Sequence, residues 1–131
     1  MRLLKDLEFH KWAQKNGVSD AMLRTAASEV EDGLVEARLG GHLLKKRVRA
    51  PGRGKSGSYR TILAHRAGQR LIFLHGFEKK EKDNISKVER DALLKLGDTY
   101  MGYSDAKISK ILKDGALIEV NQDEQNSPKR S

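Results

Sequence analysis

Between Gly41 and Phe77 the chain has no aspartate and no glutamate, yet it holds nine lysines and arginines: Lys45, Lys46, Arg47, Arg49, Arg53, Lys55, Arg60, Arg66 and Arg70. All 18 acidic residues lie outside this segment. The rest of the chain is close to neutral, so the middle generates essentially the whole net charge of +8. Any fold must bring these cations to solvent, to a carboxylate from elsewhere or to a bound anion, because an unpaired buried charge is costly. A segment of one sign makes a local positive field and captures polyanions by releasing their counterions. The plainer reading is a solvated basic face, but such faces normally mix signs and this one does not.

At 131 residues the chain has the size of one domain with its own core. We expect a single domain over residues 1–120 and a polar, disordered tail over 121–131, where Pro128 interrupts a run of Asn, Gln, Asp, Glu, Lys and Arg. There is no cysteine, so disulfides and cysteine-based metal sites are excluded. No apolar run approaches the ~18 residues of a membrane span, and Met1 to Lys15 lacks the apolar core of a signal peptide. These features point to a cytoplasmic protein.

Leu4, Leu7, Phe9 and Trp12 have mixed spacing, but the absence of a breaker before Gly17 predicts a helix from about Leu4 to Lys15. Ser19 is the expected N-cap of a second helix, carried by Met22, Leu23, Ala26, Ala27 and Val30 and ended by Gly33. After Gly40-Gly41 the periodicity becomes two. Leu44, Lys46 and Val48 alternate with Leu43, Lys45, Arg47 and Arg49, which gives one basic and one partly apolar face. Tyr59–Arg66 and Arg70–Phe77 are rich in strand formers and read as a hairpin around Ala67-Gly68-Gln69. Ser86-x-x-Glu89 is a capping-box pattern for a helix to about Met101. Ser104 would cap a further short helix stopped by Gly115, and Ala116–Val120 would be a short strand. The sum is an α+β domain: two N-terminal helices, an antiparallel sheet of three to four strands and a C-terminal helix, with the helices on one sheet face and the other left free to be basic.

Gly54-Lys55-Ser56 resembles the end of a P-loop, but Arg49 stands where the pattern needs glycine and a β-type run follows instead of a helix. None of His10, His42, His65 and His75 has metal-ligand spacing within the basic segment, so neither cofactor nor metal is expected. Alternation groups His75 with Leu71, Phe73 and Phe77, a packing face. Arg60 and Arg66 share a strand face with Ile62 and Ala64, so Arg60 must find a phosphate, a carboxylate or the sheet edge.

The run from Lys45 to Arg66 (KKRVRAPGRGKSGSYRTILAHR), followed by Phe73 to Ile85 (FLHGFEKKEKDNI), resembles the RelE/HigB-like toxins of bacterial type II toxin–antitoxin systems, within the RelE/ParE superfamily. The turn Gly17-Val18-Ser19-Asp20 and Leu39-Gly40-Gly41 are also similar to one branch of that family. The resemblance implies a RelE-like, microbial-ribonuclease-related fold. It implies a ribosome-dependent, metal-independent messenger-RNA endonuclease that inhibits translation. It also implies a cognate antitoxin as partner, often a helix-turn-helix DNA-binding protein. In such chemistry the RNA 2′-hydroxyl attacks the adjacent phosphate, which calls for a base, cations for the phosphorane and an acid for the leaving oxygen. Carried over residue by residue, the resemblance gives catalytic roles to Lys55, Arg60, Lys79 and Lys80, with Arg60 as a bidentate phosphorane clamp. It gives RNA-binding roles to Lys45, Lys46, Arg47, Arg49, Arg53, Tyr59, Phe77 and Asn84. Where better-known members carry a base-stacking tyrosine, Glu81 to Ile85 contains no aromatic residue. Two other readings stand beside the nuclease: a non-catalytic RNA- or ribosome-binding module, and a toxin relative acting on another target such as gyrase.

Overall fold

The computed structural model describes residues 1–49, 58–78 and 85–121. The expectations placed on Arg53, Lys55, Lys79, Lys80 and Asn84, and on the tail beyond Asn121, lie outside the described residues. Ten elements are formed among those described: β1 (Arg2–Asp6), α1 (Leu7–Asn16), α2 (Asp20–Glu31), β2 (Ala37–Gly40), β3 (Leu43–Arg49), β4 (Ser58–Arg66), β5 (Arg70–Glu78), α3 (Lys87–Gly102), α4 (Asp105–Asp114) and β6 (Leu117–Glu119). The α+β class is as expected.

The sheet is larger and mixed. Its six strands run in the order β2-β3-β4-β5-β1-β6. β2 to β5 form an antiparallel meander, and β1 joins β5 in parallel. The helix expected from Leu4 is corrected: Arg2–Asp6 is a strand, and the helix begins at Leu7. Leu3 and Leu4 explain this, since they are buried in different cores on opposite sheet faces, an outcome that an interior strand produces. Asp6 ends β1 and caps α1 by accepting the Phe9 amide at 2.8 Å. β2 was not expected at all.

The helices do not lie on one face. On one side, α1 and α2 bury Phe9, Ala13, Leu23, Ala26, Ala27 and Val30 against Leu44, Val48, Tyr59, Leu63, Leu71 and Phe73. On the other, Met101 of α3 and Ile108 of α4 pack with Leu43, Ile62, Ala64, Ile72, Leu74 and Phe77. The expectation of a wholly free sheet face is therefore corrected, and cations on either side must share that side with a core. Two glycines permit the close approaches. A Cβ on Gly97 of α3 would stand 3.2 Å from that of Ala64, and one on Gly76 of β5 would stand 2.4 Å from the Trp12 ring.

The caps follow the sequence. Ser19 accepts the Met22 amide, Ser86 and Glu89 exchange the reciprocal bonds of a capping box at 3.1 and 3.0 Å, and Ser104 accepts the Lys107 amide. Caps of this type contribute roughly 1 kcal/mol each. Next to the β6 edge of the sheet, buried Lys5 of β1 finds its counter-charge in Asp20 at 2.7 Å.

Two outcomes follow. Gly76→Ala forces the Trp12 ring out of place, and denaturant unfolding should register a loss of about 1–3 kcal/mol. Burial of Asp6 raises its carboxyl from 3.8 to about 6, against the opposing Phe9 amide bond. The folded state then binds more protons than the unfolded one between these values. The contribution of Asp6 to stability is fullest below pH 3.8 and is lost as pH rises through about 6. Asp6→Asn retains a capping side chain and should flatten that decline, by on the order of 2 kcal/mol across the window. The same comparison cancels His10, whose pKa is pulled below its ordinary value by burial and by Lys5.

Candidate nucleic-acid interface

β3 and β4 pair without interruption from Leu43–Ala64 to Arg49–Ser58. With Leu43, Ile62 and Ala64 in the core beneath α3, alternation brings Lys45, Arg47, Arg49, Ser58 and Arg60 to that same face. Register aligns them in rows: Lys45 beside Ile62 and His75, Arg47 beside Arg60 and Phe77, Arg49 beside Ser58. The rows lie toward one end of the sheet. α3 buries only Gly97 and Met101 fully, both in its second half, while Val88 near its start is 79% exposed. From Ala64 under Gly97 to Arg60 is roughly 13 Å along the strand.

Arg60 is the centre of the face. It is 3% exposed and sits directly opposite Arg47, a like-charged pairing that destabilises a ladder. Glu36, immediately before β2, supplies the counter-charge across β3: both carboxylate oxygens lie on Arg60 Nε, at 2.8 and 3.1 Å. The two terminal guanidinium nitrogens take part in no hydrogen bond among the described residues. Lys45, Arg47 and Arg49 have no ion pair there either. Arg47 and Arg49 are exposed, and Lys45 is buried, 9% exposed. Ser58 adds a buried hydroxyl that has no hydrogen-bond partner among the described residues.

Other residues expected at the site are placed elsewhere. Lys46 points to the α2 side, where Glu29 at 2.7 Å and the Leu34 carbonyl at 2.8 Å hold it. Tyr59, also on that side, is 2% exposed; its hydroxyl donates to the Asn16 carbonyl and its ring meets Trp12 edge-on. Phe77 does share the face of Arg60, as a buried residue. The grouping of His75 with Phe73 is corrected by a bulge. Ile62 pairs with His75 while Leu63 pairs with Phe73, so Leu74 is an extra residue that inverts strand parity. His75 therefore lies beside Phe77, ring centroids 5.9 Å apart, on the Arg60 face. His65 remains opposite, bonded to Glu31. Glu36 was missed by sequence reasoning. Its signal was available: it is the last carboxylate before the acid-free stretch, and a strand arginine in a core needs one.

Fold and face together define a small α+β domain that presents strand-borne cations around one clamped arginine. The model of the family described as "RelE toxin of RelE / RelB toxin-antitoxin system" matches residues 1–120, and the chain belongs to that family. No match is found among curated proteins. The protein is thus a RelE-like toxin of a toxin–antitoxin system, and membership implies a cognate antitoxin as its partner. Among the described residues no helix is long and apolar enough to cross a membrane.

The two sides of β3 should behave differently toward RNA. Arg47→Ala and Arg49→Ala should each lower the salt slope of single-stranded RNA binding by about 0.7 per lost phosphate contact. Lys46→Ala should leave the slope unchanged and lower the melting temperature, because it strands Glu29. Fluorescence anisotropy across a salt series, with a thermal melt of each variant, measures both.

Proposed function

We propose that this toxin inhibits translation by cutting messenger RNA on the ribosome, with the α3-side face of β3 and β4 as its RNA site. The observation that carries the reading is Arg60: a buried guanidinium held by Nε, with its terminal nitrogens unused and three cations beside it that have no ion pair among the described residues. A planar fork offered this way matches two phosphate oxygens.

In the proposed reaction the 2′-oxygen forms a bond to phosphorus as its proton passes to a base. The 5′-oxygen then leaves and takes up a proton. The products are a 2′,3′-cyclic phosphate and a 5′-hydroxyl. Arg60 would neutralise the charge that grows on the non-bridging oxygens, an interaction strongest in the transition state. Lys45, Arg47 and Arg49 would hold the RNA backbone. Lys55 as base or phosphate contact, and Lys79 or Lys80 at the leaving group, remain the expected partners; Arg53 and Asn84 are RNA contacts on the same footing. The antitoxin, proposed as a helix-turn-helix protein, would neutralise the toxin by covering this basic face with acidic side chains.

A translating-ribosome cleavage assay with mapping of RNA ends tests the reading. Wild type should cut within codons and leave a 5′-hydroxyl on the downstream fragment. Arg60→Ala should lose cleavage by about a hundredfold or more and keep most of its ribosome affinity. A folded wild type that binds ribosomes without cutting would instead be a binding module. Toxicity that persists in Arg60→Ala would point to another target.

A further inference from the structure

We infer that Glu36 is a positioning residue of the RNA site: it grips Arg60 by Nε alone and so aims the two terminal nitrogens at the phosphate. The inference rests on reading Arg60 as the phosphate clamp and adds the residue that makes it one.

An arginine side chain has several rotatable bonds, and on this face it stands opposite Arg47, which repels it. Left alone, its guanidinium would turn toward solvent or splay away from the other cations. Glu36 prevents that from the far side of β3. Because both carboxylate oxygens converge on Nε, at 2.8 and 3.1 Å, the fork-to-fork arrangement that would occupy a terminal nitrogen is not formed. Four N–H groups on the two terminal nitrogens are left over, with no hydrogen-bond partner in the described chain. The geometry suits a residue that must be rigid and still available.

The difference in exposure supports the same role. The side chain of Arg60 is 4% exposed and that of Glu36 is 32% exposed. Glu36 keeps part of its hydration and pairs Arg60 at modest desolvation cost. Arg60, by contrast, needs a partner to stay in its buried position. Glu36 also balances one positive charge before RNA arrives, which limits the Arg47–Arg60 repulsion in the free protein. It acts through Arg60, and nothing in the role requires it to touch RNA or move a proton.

The test compares full-length wild type, Glu36→Ala and Glu36→Gln in single-turnover cleavage on programmed ribosomes. Ribosome affinity, melting temperature and the arginine Nε–H resonance are measured on the same samples. In wild type the Arg60 Nε–H signal should be visible and slow to exchange, and Glu36→Ala should lose it. Glu36→Ala should slow the cleavage step by about a hundredfold, the scale of a misplaced catalytic contact, with ribosome affinity little changed. Glu36→Gln keeps an oxygen for Nε–H and should recover cleavage to within about fivefold, since a neutral acceptor holds with roughly half the strength. Wild-type cleavage by Glu36→Ala overturns the inference. So does a Glu36→Gln variant as slow as Glu36→Ala, which would assign the carboxylate a proton-transfer role. A wild type without cleavage defeats the nuclease reading itself, and the resonance then still decides whether Glu36 fixes Arg60: its absence in wild type overturns that too.

Discussion

Because β3 and β4 are in unbroken register from Leu43–Ala64 to Arg49–Ser58, each residue's side of the sheet is set by parity, and chemistry cannot choose it. Lys45, Arg47, Arg49 and Arg60 must go to the α3 side. Lys46 and Tyr59 must go to the α2 side. A slip of one residue would exchange the two sets and bury Arg47 and Arg60 among Phe9, Leu23 and Val30 without a counter-charge. The apolar residues hold the register: Leu44, Val48, Tyr59 and Leu63 belong to one core, and Leu43, Ile62 and Ala64 to the other. The cationic face is a consequence of how the sheet buries its oil.

Burial on both faces also decides which cations are available. Where α2 covers the sheet, it brings Glu29 to Lys46. Where α3 packs, it does so through its second half, about Gly97 and Met101. Beyond that contact the rows of Lys45, Arg47, Arg49 and Arg60 have one carboxylate among the described residues, Glu36, and it is committed to a single nitrogen of Arg60. The excess positive charge at this end is what a polyanion would meet, and RNA is the polyanion proposed for it.

Much of this was legible in the sequence because it is local. The acid-free stretch, the strands after Gly41, the Ser86–Glu89 capping box and the Ser104 cap depend on near neighbours and were read to within a residue or two. What was not legible is long-range. Arg2–Asp6 has too few residues to declare its period, and its strand identity comes from a parallel pairing with β5 some seventy positions on. β2 is a four-residue edge whose state depends on β3. The bulge at Leu74 shows only in the register, and it moved His75 across the sheet. Arg60 was recognised as needing a partner, but Glu36 lies 24 residues away and just outside the segment that drew attention. The site was visible as chemistry and incomplete as geometry.

The most direct measurement of the central claim is a map of amide and arginine side-chain NMR shifts on titrating a 2′-deoxy oligonucleotide, which has no attacking hydroxyl and cannot be cut. The account predicts perturbations at Lys45, Arg47, Arg49, Ser58, Arg60 and Phe77, with the Arg60 terminal nitrogens among them, and silence at Glu29, Lys46 and Thr25. Perturbations centred on α2 and Lys46, with Arg60 unmoved, would contradict it.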